Sequence, residues 1–92
     1  MPEAADEGEP LLRFPCDFPI KVMGRADPGF EALVVQIVRR HAPDLGEGAV
    51  SSRVSSGGRY LSVTLTVRAE GRAQLDAIYR ELSAHPDVLM SL

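Results

Sequence analysis

The sequence predicts an α+β domain of ferredoxin-like architecture, with elements in the order βαββαβ. Two segments carry apolar residues at helical spacing, and the segments around them carry apolar residues at alternate positions. A glycine-rich turn joins the two middle strands. Two helices packed on one face of a four-stranded antiparallel sheet bury all these apolar surfaces at once, and right-handed crossovers give the strand order 4-1-3-2.

The first strand is expected at residues 18–23, because Phe18, Ile20 and Val22 alternate with Pro19, Lys21 and Met23, so that one face looks inward. Residues 24–26 are predicted to form a turn. The first helix is expected to begin with Asp27 as its N-cap and Pro28 in its first turn, since a carboxylate accepts the unpaired N–H groups and proline has none to lose. Pro43 ends this helix.

The second half of the chain supplies three strands and a helix. Residues 49–55 are expected to form a weak strand, whose small polar residues indicate a sheet edge, and residues 56–59 are expected to form a hairpin turn. The strict alternation over residues 60–68 indicates one face on a core and one face left open by the helices. A helix at 72–84 precedes a last short strand, whose apolar positions alternate at Val88, Met90 and Leu92.

Charge divides the 92-residue chain into a tail at residues 1–13 and one domain at residues 14–92. The net charge of −3 arises wholly within the first 13 residues, which we expect to be a disordered acidic tail. The domain itself has as many acidic as basic residues. Because the N-terminus lacks a signal-peptide pattern and no apolar run could cross a bilayer, we expect a cytoplasmic protein without membrane contact.

The residues that carry chemistry on related folds are missing from their usual places. Cys16 stands alone, so the sequence has no paired thiols for a metal, and His41 and His85 are far apart. The serines have no neighbouring histidine, and the chain contains no asparagine. We therefore expect no enzyme active site, no metal site and no cofactor.

Nucleic-acid binding is also not expected. RNA-binding versions of this fold stack bases on aromatic residues of the two central strands, and only Tyr60 is suitably placed here. A neutral domain also lacks the basic excess of a general nucleic-acid binder. An RNA-binding module is therefore the third-ranked hypothesis.

Several stretches together resemble a known family. FPCDFPIKVMG, RRHAP after a helix, and SSGGRYLSVTLTV are similar to the YbeD-like family of uncharacterised bacterial proteins, over residues 14–92. The resemblance implies the ferredoxin-like fold and no assigned activity.

A second resemblance is confined to VMGRADPGFEAL. It looks like the strand-turn-helix of ACT regulatory domains, in which this loop lines a site for an amino acid at a dimer interface. The resemblance implies a site for an amino acid or another small anion, for which the candidate residues are Gly24, Arg25, Asp27, Pro28 and Gly29. A purely structural turn and helix start is the alternative interpretation.

The open face of the sheet is the remaining candidate for function. Its mixture of polar, charged and apolar side chains suits a partner protein or a small anionic ligand, and a solvated sheet face is the alternative. The candidate residues are Lys21, Met23, Tyr60, Ser62, Thr64 and Arg68. The leading hypothesis is a non-enzymatic regulatory or adaptor domain that binds a partner protein, with homodimerisation through sheet edges or the open face. The alternative is an ACT-like sensor of a small metabolite.

Overall fold

The computed structural model describes residues 13–92, so the predicted acidic tail lies outside the described residues except for Arg13. The elements follow the predicted order, with a short 3-10 turn at Glu47–Ala49 before the second strand. Their bounds are β1 Cys16–Arg25, α1 Phe30–His41, β2 Val50–Val54, β3 Tyr60–Ala69, α2 Arg72–Ala84 and β4 Val88–Ser91.

The four strands form one antiparallel sheet in the order β2-β3-β1-β4, which confirms the predicted order and the ferredoxin-like fold. The two central strands pair along their whole length, with Val22 opposite Val63 and Lys21 opposite Thr64. β2 pairs with β3 so that Ser51 also lies opposite Thr64. Because side chains of paired residues point to the same side, this register decides which residues share a face.

The core lies between the sheet and the two helices. The apolar stripes predicted for both helices are the buried ones, and they meet the inward side chains of β1 and β3. Burying these side chains is the main stabilising contribution to the fold. The largest fully buried side chains are Ile20, Ile37, Leu65, Ile78, Leu82, Val22, Val34, Val38, Val63 and Val67.

The first helix begins later than predicted. The N-cap residue is Gly29, and no side chain accepts a hydrogen bond from the first N–H groups of the helix. Asp27 and Pro28 therefore lie before the helix. The Phe30 N–H donates to the Asp27 carbonyl at 3.1 Å, so residues 27–30 form a turn of their own. Proline suits the second position of such a turn as well as the first position of a helix, which explains the error.

The predicted turn at residues 24–26 is also wrong, because β1 continues through Arg25. Gly24 is buried, and the ring of Phe30 at the start of α1 lies directly over it. A Cβ atom at Gly24 would overlap this ring and would stand 2.7 Å from the Asp87 carbonyl oxygen. Glycine is therefore required here by close approach, and its φ is not in the left-handed region.

The last strand does not keep one face inward. Its register with β1 shifts between Met23 and Gly24, so Val88 lies opposite Gly24 and Met90 lies opposite Met23. Val88 packs against the core, whereas Met90 is 50% exposed. A bulge adds a residue to one strand, and this reverses the direction of the side chains beyond it.

A polar clamp joins the two helices at the end of α1. Glu81 on α2 pairs with Arg40 and accepts a hydrogen bond of 2.7 Å from His41 Nε2 when that nitrogen is protonated. Gln74 Nε2 donates to the His41 carbonyl at 2.8 Å. His41 thus connects the two helices.

Candidate interaction face and adjoining cavity

The register places all six predicted surface residues on the face of the sheet opposite the helices. Lys21 and Met23 lie on β1, and Tyr60, Ser62 and Thr64 lie on β3. Arg68 lies near the other end of β3, where its guanidinium donates to Asp17 at 3.3 Å. We call this surface the open face. It also includes Asp17, Pro19, Arg25, Ser51, Arg53, Thr66, Met90 and Leu92.

A trough crosses the middle of the open face. Its floor is formed by Ser62 and Thr64, which are short and half-buried. Lys21 stands on one side, on β1, and Arg53 stands on the other, on β2. The two neighbouring depressions here have volumes of about 210 and 220 Å³, and Met23 and Tyr60 line the second. Strands are spaced about 4.8 Å apart, so the two cationic sides are about 10 Å from each other.

Charge is separated between the two layers of a domain that is neutral in total. Four cationic side chains, Lys21, Arg25, Arg53 and Arg68, share the open face with one acidic side chain, that of Asp17. The other eight acidic and five basic residues of the range 14–92 belong to helices, turns and loops. The open face therefore carries a formal charge of +3. The sequence total hid this separation, because the balance over the chain is zero.

An apolar corner adjoins the trough, and sequence reasoning missed it. Met90 is 50% exposed opposite Met23, and Leu92 is 66% exposed. Leu92 lies beside Lys21, because the two residues exchange backbone hydrogen bonds of 3.1 and 2.8 Å. The bulge in β4 turns these side chains to the open face, and no periodicity in the sequence signals that bulge. Large exposed apolar side chains grouped beside charged ones are typical of binding surfaces.

The predicted metabolite loop is only partly assembled into a site. A cavity of about 160 Å³ lies at the end of β1, between the start of α1 and the loop before β4. Three of the five predicted residues line it, namely Arg25, Asp27 and Gly29. Gly24 is covered by the ring of Phe30, and Pro28 is exposed outside the lining. Phe30, Pro86, Asp87 and Leu89 complete the walls, and no sequence pattern pointed to the last three.

A wider depression of about 250 Å³ lies beside the end of α1, and it contains one predicted residue, Arg68. The loop after α1 forms one side of it, where Arg39 Nε donates to the Leu45 carbonyl at 3.0 Å. Gln74 and Asp44 also line it. Its polar groups are largely used in local hydrogen bonds, as the bonds of Gln74 to His41 and to Glu70 show.

The metal-ligating residue types are dispersed over the described part of the chain. Cys16 is half-buried against the core at the start of β1. Within residues 13–92, no three His, Cys, Asp or Glu side chains are grouped as they would be around a metal ion. In the same range, no helix is long and apolar enough to cross a membrane.

Comparison with known proteins places the chain. Residues 9–92 match the family described as "Protein of unknown function (DUF493)". The chain belongs to this family. Among similar curated proteins, the "UPF0250 protein" of Chromobacterium violaceum is 49% identical over 96% of this chain and 99% of its own length. Those of Janthinobacterium sp. (strain Marseille) and Nitrosomonas europaea are 51% and 46% identical, over 90% and 91% of this chain and 91% and 97% of their own lengths.

These relatives confirm the resemblance to the YbeD-like family over nearly the whole domain. Their names assign them no activity, substrate or partner. The family is thus one of uncharacterised proteins, and function has to be argued from this chain's own surfaces.

Proposed function

We propose that this protein is a non-enzymatic regulatory or adaptor domain of the cytoplasm, which acts by binding a partner protein on its open face. The observation that carries the proposal is the combination of a formal charge of +3 with an exposed apolar corner on one side of a neutral domain. A sheet face that is exposed only to solvent would have no reason to combine an excess of positive charge with large exposed apolar side chains.

The chemistry of the face defines the partner. Lys21 and Arg53 on the two sides of the trough are cations that an acidic segment would pair with. The hydroxyls of Ser62 and Thr64 between them offer short hydrogen-bonding groups on the floor. Met90 and Leu92 would pack against apolar side chains of the partner that lie next to its acidic segment. We infer that the partner presents an acidic segment flanked by large apolar residues.

Capture from a lysate of the native host tests this proposal. The wild-type domain is compared with Lys21→Glu/Met90→Ser, which reverses a charge in the trough and removes an apolar side chain beside it. The control is Arg80→Glu/Ala32→Ser, which makes the same charge change and also introduces a serine, at exposed positions of the helices. Retained proteins are quantified by mass spectrometry.

At least one protein should be retained by the wild type and the control and reduced at least about tenfold with the open-face variant. A tenfold loss corresponds to about 1.4 kcal/mol of binding free energy, a modest value for one buried anchor and one ion pair. The proposal fails if every retained protein binds the open-face variant as well as it binds the control.

A second candidate function follows from the cavity at the end of β1. Its lining combines a basic residue, Arg25, and two acidic residues, Asp27 and Asp87, with the apolar residues Phe30 and Leu89. Opposite charges on one small cavity suit a small zwitterion such as an amino acid, with its carboxylate at Arg25 and its ammonium at an aspartate. The volume of about 160 Å³ restricts the ligand to a few heavy atoms. This second candidate corresponds to the ACT-like sensor of a small metabolite.

A thermal-shift screen over the free amino acids and other small anionic metabolites tests the second candidate. A ligand raises Tm by mass action when it binds the folded state alone. Gly29→Val should abolish the shift, because Gly29 lines the cavity and a side chain there meets no atom within 4 Å. Gly71→Val is the matched control, since Gly71 is the N-cap residue of α2 and a Cβ atom there also meets no atom within 4 Å.

The sensor candidate fails if no compound raises Tm, or if Gly29→Val and Gly71→Val retain the same shift. Neither result affects the open-face proposal, because Gly29 lies outside the open face.

A further inference from the structure

We propose that the outer edge of β2 pairs with the same edge of a second copy of this chain, which joins two four-stranded sheets into one sheet of eight strands. The two copies would be related by a two-fold axis through Ser52, with their β2 strands antiparallel. The proposal is independent of the partner protein argued above, because it uses an edge of the sheet and not its open face.

The hydrogen-bond pattern shows which backbone groups of β2 are unused. Ser55 N–H donates to the Tyr60 carbonyl at 2.8 Å, so Ser55 and, by alternation, Arg53 and Ser51 direct their backbone groups toward β3. Ser52 and Val54 therefore direct theirs away from the sheet. Apart from the Val50 N–H, which donates to the Glu47 carbonyl, no backbone group of that edge is paired within residues 13–92, and the residues from Ser51 to Val54 are all exposed.

The opposite edge of the sheet is protected, which makes the open β2 edge notable. Lys21 exchanges backbone hydrogen bonds with Leu92, so the backbone groups of Lys21 are directed toward β4. By alternation, the backbone of Pro19 is directed toward the same edge, beyond the end of β4. Proline has no N–H to offer an incoming strand, and β4 carries a bulge. β2 has neither a proline nor a bulge, and Arg53 is its one charged side chain.

The sequence of β2 is complementary to itself about Ser52. In this register the Ser52 N–H and carbonyl of each copy pair with those of the other, and each Val54 N–H meets the Val50 carbonyl of the second copy. The Val50 N–H is already bonded to the Glu47 carbonyl, so it needs no partner. Val54, which is 55% exposed, would be covered by Val50 of the second copy.

Charge also favours this register over its neighbours. With the axis at Ser52, each Arg53 lies opposite Ser51 of the second copy on the open face. A shift of the axis to Arg53 would place two arginines directly opposite each other, which destabilises a strand pair. The two-fold axis is perpendicular to the sheet, so both open faces lie on the same side of the dimer.

Sedimentation analysis of the full chain from about 1 μM to about 1 mM tests the proposal. Five residues per copy form a small interface, and we expect a reversible dimer with a Kd in the micromolar range. Ser52→Pro removes the central N–H from a position that an edge strand tolerates, and should weaken the dimer at least tenfold. Ser52→Thr keeps the N–H and should dimerise as the wild type does.

Oxidative cross-linking in a Cys16→Ser background tests the register. Residues that face each other in a hydrogen-bonded pair have Cα atoms about 5.5 Å apart, which a disulfide can span, so Ser52→Cys should form a covalent dimer. Val54→Cys should not, because the two residues 54 would be about 14 Å apart.

The proposal is overturned if the wild type stays monomeric over the whole concentration range, or if Ser52→Pro dimerises as tightly as Ser52→Thr. Cross-linking of Val54→Cys as readily as Ser52→Cys would contradict the register. Circular dichroism of the Ser52→Pro variant shows that a monomer is folded. These results are distinct from failure of the open-face proposal, which concerns Lys21 and Met90.

Discussion

Gly24 shows how one residue can fix the junction of three elements. It lies in β1, its missing side chain leaves room for the ring of Phe30 on α1, and the Asp87 carbonyl before β4 approaches it closely. The same junction forms the cavity at the end of β1. Gly24, which the sequence pattern assigns to a turn, is therefore a packing position within a strand.

Gly24→Ala should lower the free energy of unfolding by about 1–3 kcal/mol, because the added methyl group must displace a buried ring or a backbone carbonyl. The measurement is the midpoint of urea unfolding. Gly46→Ala is the control, since a Cβ atom there meets nothing within 4 Å and φ is −100°. It should be neutral or more stable by about 0.4–1 kcal/mol. Equal midpoints for the two variants would contradict this account of Gly24.

The two helices show which properties of a secondary-structure element can be predicted from local sequence and which cannot. The apolar stripes of α1 and α2 could be predicted because helical periodicity is a local property, and the structure buries them as predicted. The beginning of α1 could not be located, because Asp27 and Pro28 suit a turn and a helix start equally well. The bulge between Met23 and Gly24 could not be predicted either, since it depends on how β4 meets β1.

Tyr79 on α2 gives a pH-dependent test of how that helix packs. Burial raises the pKa of the Tyr79 hydroxyl above its ordinary value of about 10, so the folded state holds this proton more tightly than the unfolded state does. The contribution of this proton to the free energy of unfolding is therefore fully present below about pH 10. It is lost as the pH rises through the pKa of Tyr79 in the folded state.

Urea unfolding at about pH 8 and about pH 11 measures this effect in the wild type and in Tyr79→Phe. The wild type should lose more stability over that interval than the variant, which has no proton to release. The other titrating groups are common to both proteins and cancel in the comparison. Equal losses would show that Tyr79 is not buried in the way described.

At the scale of the whole molecule, the separation of charge is the main finding. Composition correctly describes residues 14–92 as neutral, but it carries no information on which charges share a face. The register assigns Lys21, Arg25, Arg53 and Arg68 to one side, and the acidic residues apart from Asp17 to helices, turns and loops. The sequence could predict the six candidate residues of the open face, since they alternate along two strands. It could not add Met90 and Leu92, since the bulge determines their direction.

The strength of partner binding should depend on salt, because the proposed contacts pair exposed cations with an acidic segment. Raising the ionic strength from about 0.1 M to about 1 M shortens the screening length from about 10 Å to about 3 Å. Retention of the partner by the wild-type domain should fall over this range. Retention that is unchanged or increased would indicate that the apolar corner alone carries the interaction.

The central claim is that the open face is the surface covered by the partner. Lys21 is the only lysine in the sequence, so its modification, distinguished by peptide mapping from that of the terminal α-amino group, reports on one defined position of this face. The rate of Lys21 modification, followed by mass spectrometry, is measured for the isolated domain and for its complex with the captured partner. The account predicts that modification of Lys21 is slowed at least about tenfold in the complex, because the ammonium is paired and covered. Modification at the same rate in both states would contradict it.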